Sequence, residues 1–279
     1  MKIAVLADIH GNLPALQAVV SHIDQWQPDE VMVAGDVVNR GPRPLECLEI
    51  VKEKQLSDGW KVVRGNHEDY VISHTLPDAP RSGPFFEIYR TSYWTLNQLN
   101  GHVADLNDMP FQVSTKTPAG GEIRAVHASM RDNRDGIYLD TPDDNLRQQI
   151  APPPSALCVG HTHRPLIRTL DNTLVVNVGS VGMPFDEDPR AAYAQLTWHS
   201  NQLRAEIIRL AYDREQVEKD FRETGFIRDS GPLTHLMIIE FRNSRPYLHL
   251  WMRYYQKRVL SGEMSVGEAV EDFVASIDN

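Results

Sequence analysis

The chain has 279 residues, 41% of them hydrophobic and 24% charged. That is ordinary for a globular protein and long enough for one large α/β domain, or for one domain with an appendage. The 28 basic and 38 acidic residues give a net charge of −10, which argues against a broad duplex nucleic-acid surface or an anionic-membrane surface, though a small phosphorylated substrate stays compatible if bound divalent metals reverse the local sign.

Cys47 and Cys158 each lie in an apolar run and read as reduced core residues, not as a disulfide framework. Asp8 interrupts the first apolar run too early for a signal peptide, and no run approaches the ~18 apolar residues of a membrane span. A cytoplasmic protein without membrane contact is expected.

In chain order, Lys2 to Ala7 read as a strand that runs into Asp8-x-His10. Asn12 is an N-cap candidate and Pro14 sits in the first turn of a helix over 13–26, whose Leu13, Leu16, Val20 and Ile23 recur at helical spacing. Val31 to Ala34 form a second apolar strand, ending on Gly35-Asp36, where a glycine lets the chain turn sharply. A helix from Pro44 and a strand over 60–64 follow, and the strand ends on Gly65-Asn66-His67-Glu68. This alternation predicts parallel βαβ units with both sheet faces covered.

Residues 70–110 break the pattern and read as a lobe inserted beside the site, with one helix carrying Phe86, Tyr89, Tyr93, Leu96 and Leu99. Strands resume over 111–115 and 122–126, the latter ending on His127. The strand 156–159 ends on Gly160-His161-Thr162-His163. Hairpins turn at Asp171-Asn172 and at Ser200-Asn201, so the second half reads as a sheet of hairpins. Beyond Ala211 come helices: one capped by Asp213, one opened by Pro246, and one opened by the capping box Ser265 to Glu268. The stripe Tyr247, Trp251, Tyr254 and Tyr255 is expected to pack on a partner subunit or on the body, away from the site, which makes a homo-oligomer through these helices an expectation.

Taken singly, the polar blocks are unremarkable strand ends. Together, Asp8-x-His10, Gly35-Asp36, Gly65-Asn66-His67-Glu68, His127 and Gly160-His161-Thr-His163 place oxygen and nitrogen ligands after several apolar strands, at the sheet edge where open α/β folds bind ligands. Mixed carboxylate and imidazole sets without thiolates suit Mn, Fe, Co or Zn and argue against a closed structural zinc site. Asp36 is the candidate for a carboxylate shared between two ions.

This combination resembles the calcineurin-like metallophosphoesterase superfamily, in particular its bacterial phosphodiesterase-like branch. The resemblance implies a four-layer α/β/β/α sandwich of two mixed sheets, with a two-metal site at the loop edges. By motif position it implies that Asp8, His10 and His163 hold one ion, that Asn66, His127 and His161 hold the other, and that Asp36 bridges them. It further implies that His67 faces the substrate, with Glu68 orienting it, and that Arg40, in Gly35-Asp-Val-Val-Asn39-Arg40-Gly41, grips phosphate. Asn39 departs from the related Gly-Asp-x-x-Asp-Arg-Gly element of serine/threonine phosphatases, where an aspartate positions the histidine. Either Glu68 then takes over or His67 acts as a hydrogen-bond donor. The segment Asn177-Val-Gly-Ser180-Val-Gly182-Met-Pro184 also resembles the branch, either as a turn against the metal loops or as a substrate contact.

The expected activity is metal-dependent hydrolysis of phosphoester bonds, first as a phosphodiesterase on a small or nucleotide-like substrate. The alternatives are a phosphomonoesterase or protein phosphatase, and a dinucleoside polyphosphate hydrolase. A non-catalytic scaffold is disfavoured because no ligand is missing. Two divalent or transition metal ions are implied, Mn or Fe first, then Zn, Co or Ni. The expected division is a metallophosphoesterase domain over 1–212 and a helical extension over 213–279.

Overall fold

The first strand, β1 (Lys2–Leu6), is apolar from Ile3 onward because both of its faces are covered there. Ile3 and Val5 point into a core shared with Ile123, Ala125, Cys158 and Val176. Ala4 and Leu6 point the other way, onto Leu16, Val19 and Leu48. Those residues belong to α1 (Leu13–Trp26) and α2 (Pro44–Asp58). The structure, a computed structural model, describes residues 1–277.

Among the described residues the chain forms two five-stranded sheets. In the first, β1 pairs in parallel with β2 (Glu30–Val33), which pairs with β3 (Lys61–Val62). On its other side β1 pairs antiparallel with β9 (Ala191–His199), followed by β10 (Gln202–Leu210). The second sheet runs β4 (Gln112–Lys116), β5 (Glu122–Val126), β6 (Ala156–Val159), β8 (Thr173–Asn177) and β7 (Leu166–Leu170). Both sheets are mixed, and they pack face to face with helices outside. The outer layer on the second sheet is thin: Leu146 and Ile150, at α7 (Asp143–Gln149), close over Leu157 and Val175. The four-layer sandwich with C-terminal helices is the architecture that the sequence resemblance implies.

Three readings need correction. The β9–β10 hairpin does not extend a second-half sheet but completes the first one beside β1. Its Ala194 and Leu196 fill the inter-sheet core while Ala191 and Tyr193 pack under the helices, so β9 is apolar on both faces and takes an interior place. The lobe holds not one helix but α4 (Gly83–Ile88), α5 (Arg90–Gln98) and α6 (Val103–Asn107), after α3 (Asn66–Ser73). The chain breaks at Tyr89 because its apolar residues serve two cores: Ile88 joins Leu233, Leu236 and Trp251, whereas Trp94 joins Phe221 and Phe226.

The third correction concerns the C-terminal helices α8 (Arg214–Glu223), α9 (Phe226–Asp229), α10 (Thr234–Asn243), α11 (Tyr247–Leu260) and α12 (Val266–Ile277). Trp251 is fully buried and stacks on Tyr255, which meets Phe273 edge-on, so most of the aromatic stripe is covered within the chain, one of the two packings expected for it. What is corrected is its distance from the site: α10 and α11 reach it, as the next subsection describes. No helix among the described residues is long and apolar enough to cross a membrane.

Candidate metal centre

The loops after β1, β2, β5 and β6 meet at one edge of the sandwich and prolong the ladders by a few bonds. Asp8 N–H donates to Gly35 O (3.1 Å), His10 N–H to Asp36 O (3.0 Å) and Gly160 N–H to His127 O (2.8 Å). Asp8, His10, Asp36, Asn39, Arg40, His161 and His163 all have φ between 50 and 70°. That left-handed region costs an L-residue roughly 1–2 kcal/mol, less for Asp and Asn. Strain concentrated in this way marks sites held by their surroundings. Gly35 (φ +87) has no alternative, since a Cβ there would collide with the Gly65 backbone and the His127 ring.

Hydrogen bonds fix the histidine tautomers. Nδ1 of His10 lies 3.3 Å from Asn39 O, and Nδ1 of His163 lies 2.5 Å from Met183 O. A carbonyl only accepts, so in the neutral rings both Nδ1 atoms carry the proton and both Nε2 atoms are bare. Those Nε2 atoms face each other at 3.1 Å. Asp8 Oδ1 is 3.4 Å from His163 Nε2, and Asp36 Oδ2 is 3.7 Å from His10 Nε2. One ligand atom from each of Asp8, His10, Asp36 and His163 fits within 4.8 Å. Asp8 Oδ1 and Asp36 Oδ2 are buried without a hydrogen-bond partner. Converging lone pairs with no donor are costly in a dry site. A cation satisfies all of them, so this donor set fits a metal ion.

A second group shares Asp36. His127 donates from Nδ1 to Ala34 O (2.8 Å), leaving Nε2 2.9 Å from Asn66 Oδ1 and 3.3 Å from Asp36 Oδ2. His161 Nδ1 is also 2.9 Å from Asn66 Oδ1. Asp36 Oδ2 therefore lies within 4 Å of an imidazole Nε2 from each group. Its Oδ1 accepts the His67 N–H at 2.9 Å. All seven candidate ligands come together.

The electrostatics follow from this crowding. Burial works against the Asp36 carboxylate, but the imidazoles of His127, His67 and His10 outweigh it and hold the carboxyl well below its usual range. Burial likewise works against a charged His127, yet Asp36 and Asp8 lift it above an ordinary histidine. His10 is held well down by burial, with His67 and His163 adding to the effect, and burial pushes His161 down to about 3.

His67 is set by Asn39. The Asn39 side-chain oxygen accepts the Arg40 N–H (2.9 Å), which fixes the amide orientation. Its nitrogen then donates to Ser92 Oγ (3.0 Å) and to His67 Nδ1 (2.9 Å). Nδ1 of His67 is thus an acceptor, and its proton sits on Nε2. Burial, opposed by Asp36, pushes His67 down to about 3, so the ring is a neutral N–H donor at pH 7. The reading in which Glu68 orients His67 is wrong. The Glu68 carboxylate is fully buried and occupied by three backbone N–H groups, those of Asp36 (2.9 Å), Gly65 (2.8 Å) and Val38 (3.1 Å). It ties the Asp36 loop to the Asn66 loop.

Arg40 Nη2 donates to Glu240 Oε2 at 2.8 Å, and Glu240, fully buried on α10, also accepts the Leu248 N–H at 2.6 Å. Arg40 Nε is buried without a partner. Arg40, His67 and His249 line two cavities. One, of about 350 Å³, is reached by Asp36, His161, His163 and Pro246. The other, of about 220 Å³, is reached by Asn66, Tyr70, Tyr89 and Met252. The segment 177–184 braces the metal loops: Ser180 Oγ donates to Asp8 O (2.8 Å), Met183 O meets His163, and a Cβ at Gly182 would fall on the Ile9 carbonyl. Glu240 and Met183 escaped the sequence reading, which singled out Asn39 but did not give it the role of orienting His67. Asn39 carried a signal, its place in the motif. Glu240 lies 200 residues from Arg40 in an amphipathic helix, and Met183 acts through its backbone.

A calcineurin-like phosphoesterase superfamily domain matches residues 1–201. An uncharacterized protein from Methanocaldococcus jannaschii is 27% identical over 231 residues, which cover 76% of this chain and 88% of that one. Among solved structures, a metallophosphoesterase from Sphaerobacter thermophilus superposes with a TM-score of 0.69 at 27% identity, over 88% of this chain and 99% of its own. A hypothetical protein from Pyrococcus horikoshii gives 0.70 at 25% identity, over 84% and 97%. A shorter stretch of 74 residues is 38% identical to a symmetrical bis(5'-nucleosyl)-tetraphosphatase from Vibrio parahaemolyticus, covering 26% of this chain and 27% of that protein.

Proposed function

The chain belongs to the calcineurin-like phosphoesterase superfamily and is a phosphoester hydrolase, and within that class we propose that it is a dinuclear metal-dependent phosphodiesterase acting on a small or nucleotide-like substrate. The observation that carries the dinuclear reading is Asp36 Oδ2, buried without a donor and facing His10 on one side and His127 on the other. Asp8, His10 and His163 would hold one ion and Asn66, His127 and His161 the other, with Asp36 common to both. Two such ions supply an acidified attacking water and positive charge for the phosphoryl oxygens.

The chain's own residues do the rest. His67 offers an Nε2–H, fixed by Asn39, to a phosphoryl or leaving oxygen. Arg40 offers guanidinium charge at the junction of the two cavities. A diester has two organic substituents and needs room for each, which is why two cavities meeting at Arg40 and His67 favour a diester over a monoester. In this reading the 1–212 domain carries the chemistry, while the 70–110 lobe and the 213–279 extension shape selectivity. The metals are Mn or Fe in the first instance.

A metal-reconstituted screen of phosphomonoesters, phosphodiesters and dinucleoside polyphosphates tests this reading, and phosphodiesters should give the highest kcat/KM. Preference for a dinucleoside polyphosphate would favour a second reading, supported by the short match to the symmetrical tetraphosphatase. No turnover of any class would refute the phosphodiesterase reading.

Two further results are expected here. Metal binding has to displace the proton that Asp36 draws onto His127, so apparent metal affinity should rise between pH 6 and pH 8. Calorimetric titration at the two pH values checks the sign. Glu240 holds one edge of Arg40 and thereby positions it. Glu240→Gln keeps the shape but leaves the arginine without its counter-charge, and should raise KM about tenfold or more with little change in kcat or metal content. A purely structural role would lower the melting temperature without separating KM from kcat.

A further inference from the structure

The cavity of about 220 Å³ beside His67 opens onto the metal loops through Asn39, Arg40, Asn66 and His67, but the rest of its wall comes from segments outside those loops. Tyr70 belongs to α3, Tyr89 follows α4, Met237 lies on α10, and Leu248 and Met252 lie on α11. The two tyrosine rings are 5.4 Å apart at 49°, and the His67 ring meets Tyr70 edge-on at 5.2 Å. The Arg134 guanidinium lies 5.2 Å from the Tyr70 ring centroid, and the phenol rings contribute apolar wall. Thr91, Ser92 and His249 add polar lining to that of the metal-loop side.

We propose that this cavity is the subsite for one organic substituent of the phosphoester, and that it selects an uncharged aromatic ring system, a class shared by nucleobases and simple aryl groups. The inference rests on the phosphoester reading above and adds the chemistry of the substituent. Size supports it: a dry apolar cavity of ~150 Å³ holds benzene, so this one accommodates one or two fused rings and not a long acyl chain. Chemistry supports it too, because aromatic faces and two thioethers are good partners for a flat π-system. Charge excludes the competing cationic alcohols, since among the described residues no carboxylate lines the cavity while Arg40 does. Continuity supplies the last element, because His67 and Arg40 belong to this cavity and to the neighbouring one alike.

The test is competitive inhibition of the metal-reconstituted full chain hydrolysing bis(p-nitrophenyl) phosphate. The inhibitor pairs are phenylphosphonate against methylphosphonate and thymidine 5'-monophosphate against 2-deoxyribose 5-phosphate. In each pair charge is matched and only the ring differs. At least one aromatic member should bind about tenfold or more tightly than its partner. Selectivity in the thymidine pair identifies the occupant as a nucleobase, and selectivity in the phenyl pair alone identifies a simple aryl group. Met252→Trp, which fills the cavity, should reduce that ratio about tenfold. Met252→Glu, which adds a carboxylate to the wall, should do the same if the first variant does not fold. Equal inhibition within both pairs by the wild-type enzyme overturns the subsite, as does a folded, metal-loaded Met252→Trp variant with an unchanged ratio. A chain that turns over no phosphoester fails the phosphodiesterase reading as well, whereas an active enzyme without ring selectivity fails the subsite alone.

Discussion

Asp36→Asn is expected to lower affinity for both metal ions by at least about a hundredfold each, while His10→Ala is expected to empty only one position. The amide keeps the shape of the carboxylate and can still accept the His67 N–H at Oδ1. What it removes is one negative charge that lies close to imidazoles of both groups, 3.7 Å from His10 and 3.3 Å from His127. Outer partners of metal ligands are worth 10–100-fold in affinity, and a carboxylate common to two cations should exceed that range. His10, by contrast, converges with Asp8, His163 and the shared Asp36, away from the Asn66 group. Metal content after dialysis, measured alongside kcat, separates the two variants. If Asp36→Asn keeps two equivalents at wild-type affinity, the shared-carboxylate assignment is wrong.

His67→Ala should leave metal content nearly intact and lower kcat by about 10²–10⁴, the range of a positioned acid–base group. Its backbone N–H, not its ring, touches Asp36, so truncating the side chain spares that contact. The ring is neutral, its Nδ1 occupied by the Asn39 amide and its single proton on Nε2. Donation to a leaving oxygen helps most where that oxygen is basic. The loss should therefore be larger for alkyl phosphodiesters than for nitrophenyl ones. Equal losses on both would move the Nε2–H to a non-bridging phosphoryl oxygen, and no loss on either would remove His67 from the reaction.

Much of this arrangement was legible in the sequence because parallel strands carry their ligands to one edge. The blocks at Asp8, Asp36, Asn66, His127 and His161 each follow an apolar run, and the structure brings them all together. The helices over 13–26 and from Pro44, and the strands 122–126 and 156–159, were marked by periodicity, caps and abrupt polar ends. What escaped depends on partners far away in the chain. Periodicity describes one amphipathic face at a time, so it joined α4 and α5 into one helix, although Ile88 and Trp94 pack on different cores. It also left open whether the aromatic stripe of α11 packs on a partner subunit or on the body, because nothing in the local pattern says that Ile88 and Phe273 cover Trp251. The roles of Glu68 and Glu240 were hidden for the same reason: a buried carboxylate and a surface one look alike until the N–H groups or guanidinium facing them are known.

The central claim is that Asp36 stands between two metal ions, and anomalous diffraction from crystals of the manganese-loaded protein tests it most directly. Two anomalous peaks ~3.5–4 Å apart are expected, one among Asp8, His10 and His163, the other among Asn66, His127 and His161, with an Asp36 oxygen in reach of both. A single peak in fully loaded crystals, or two peaks with Asp36 bound to only one of them, would contradict the account.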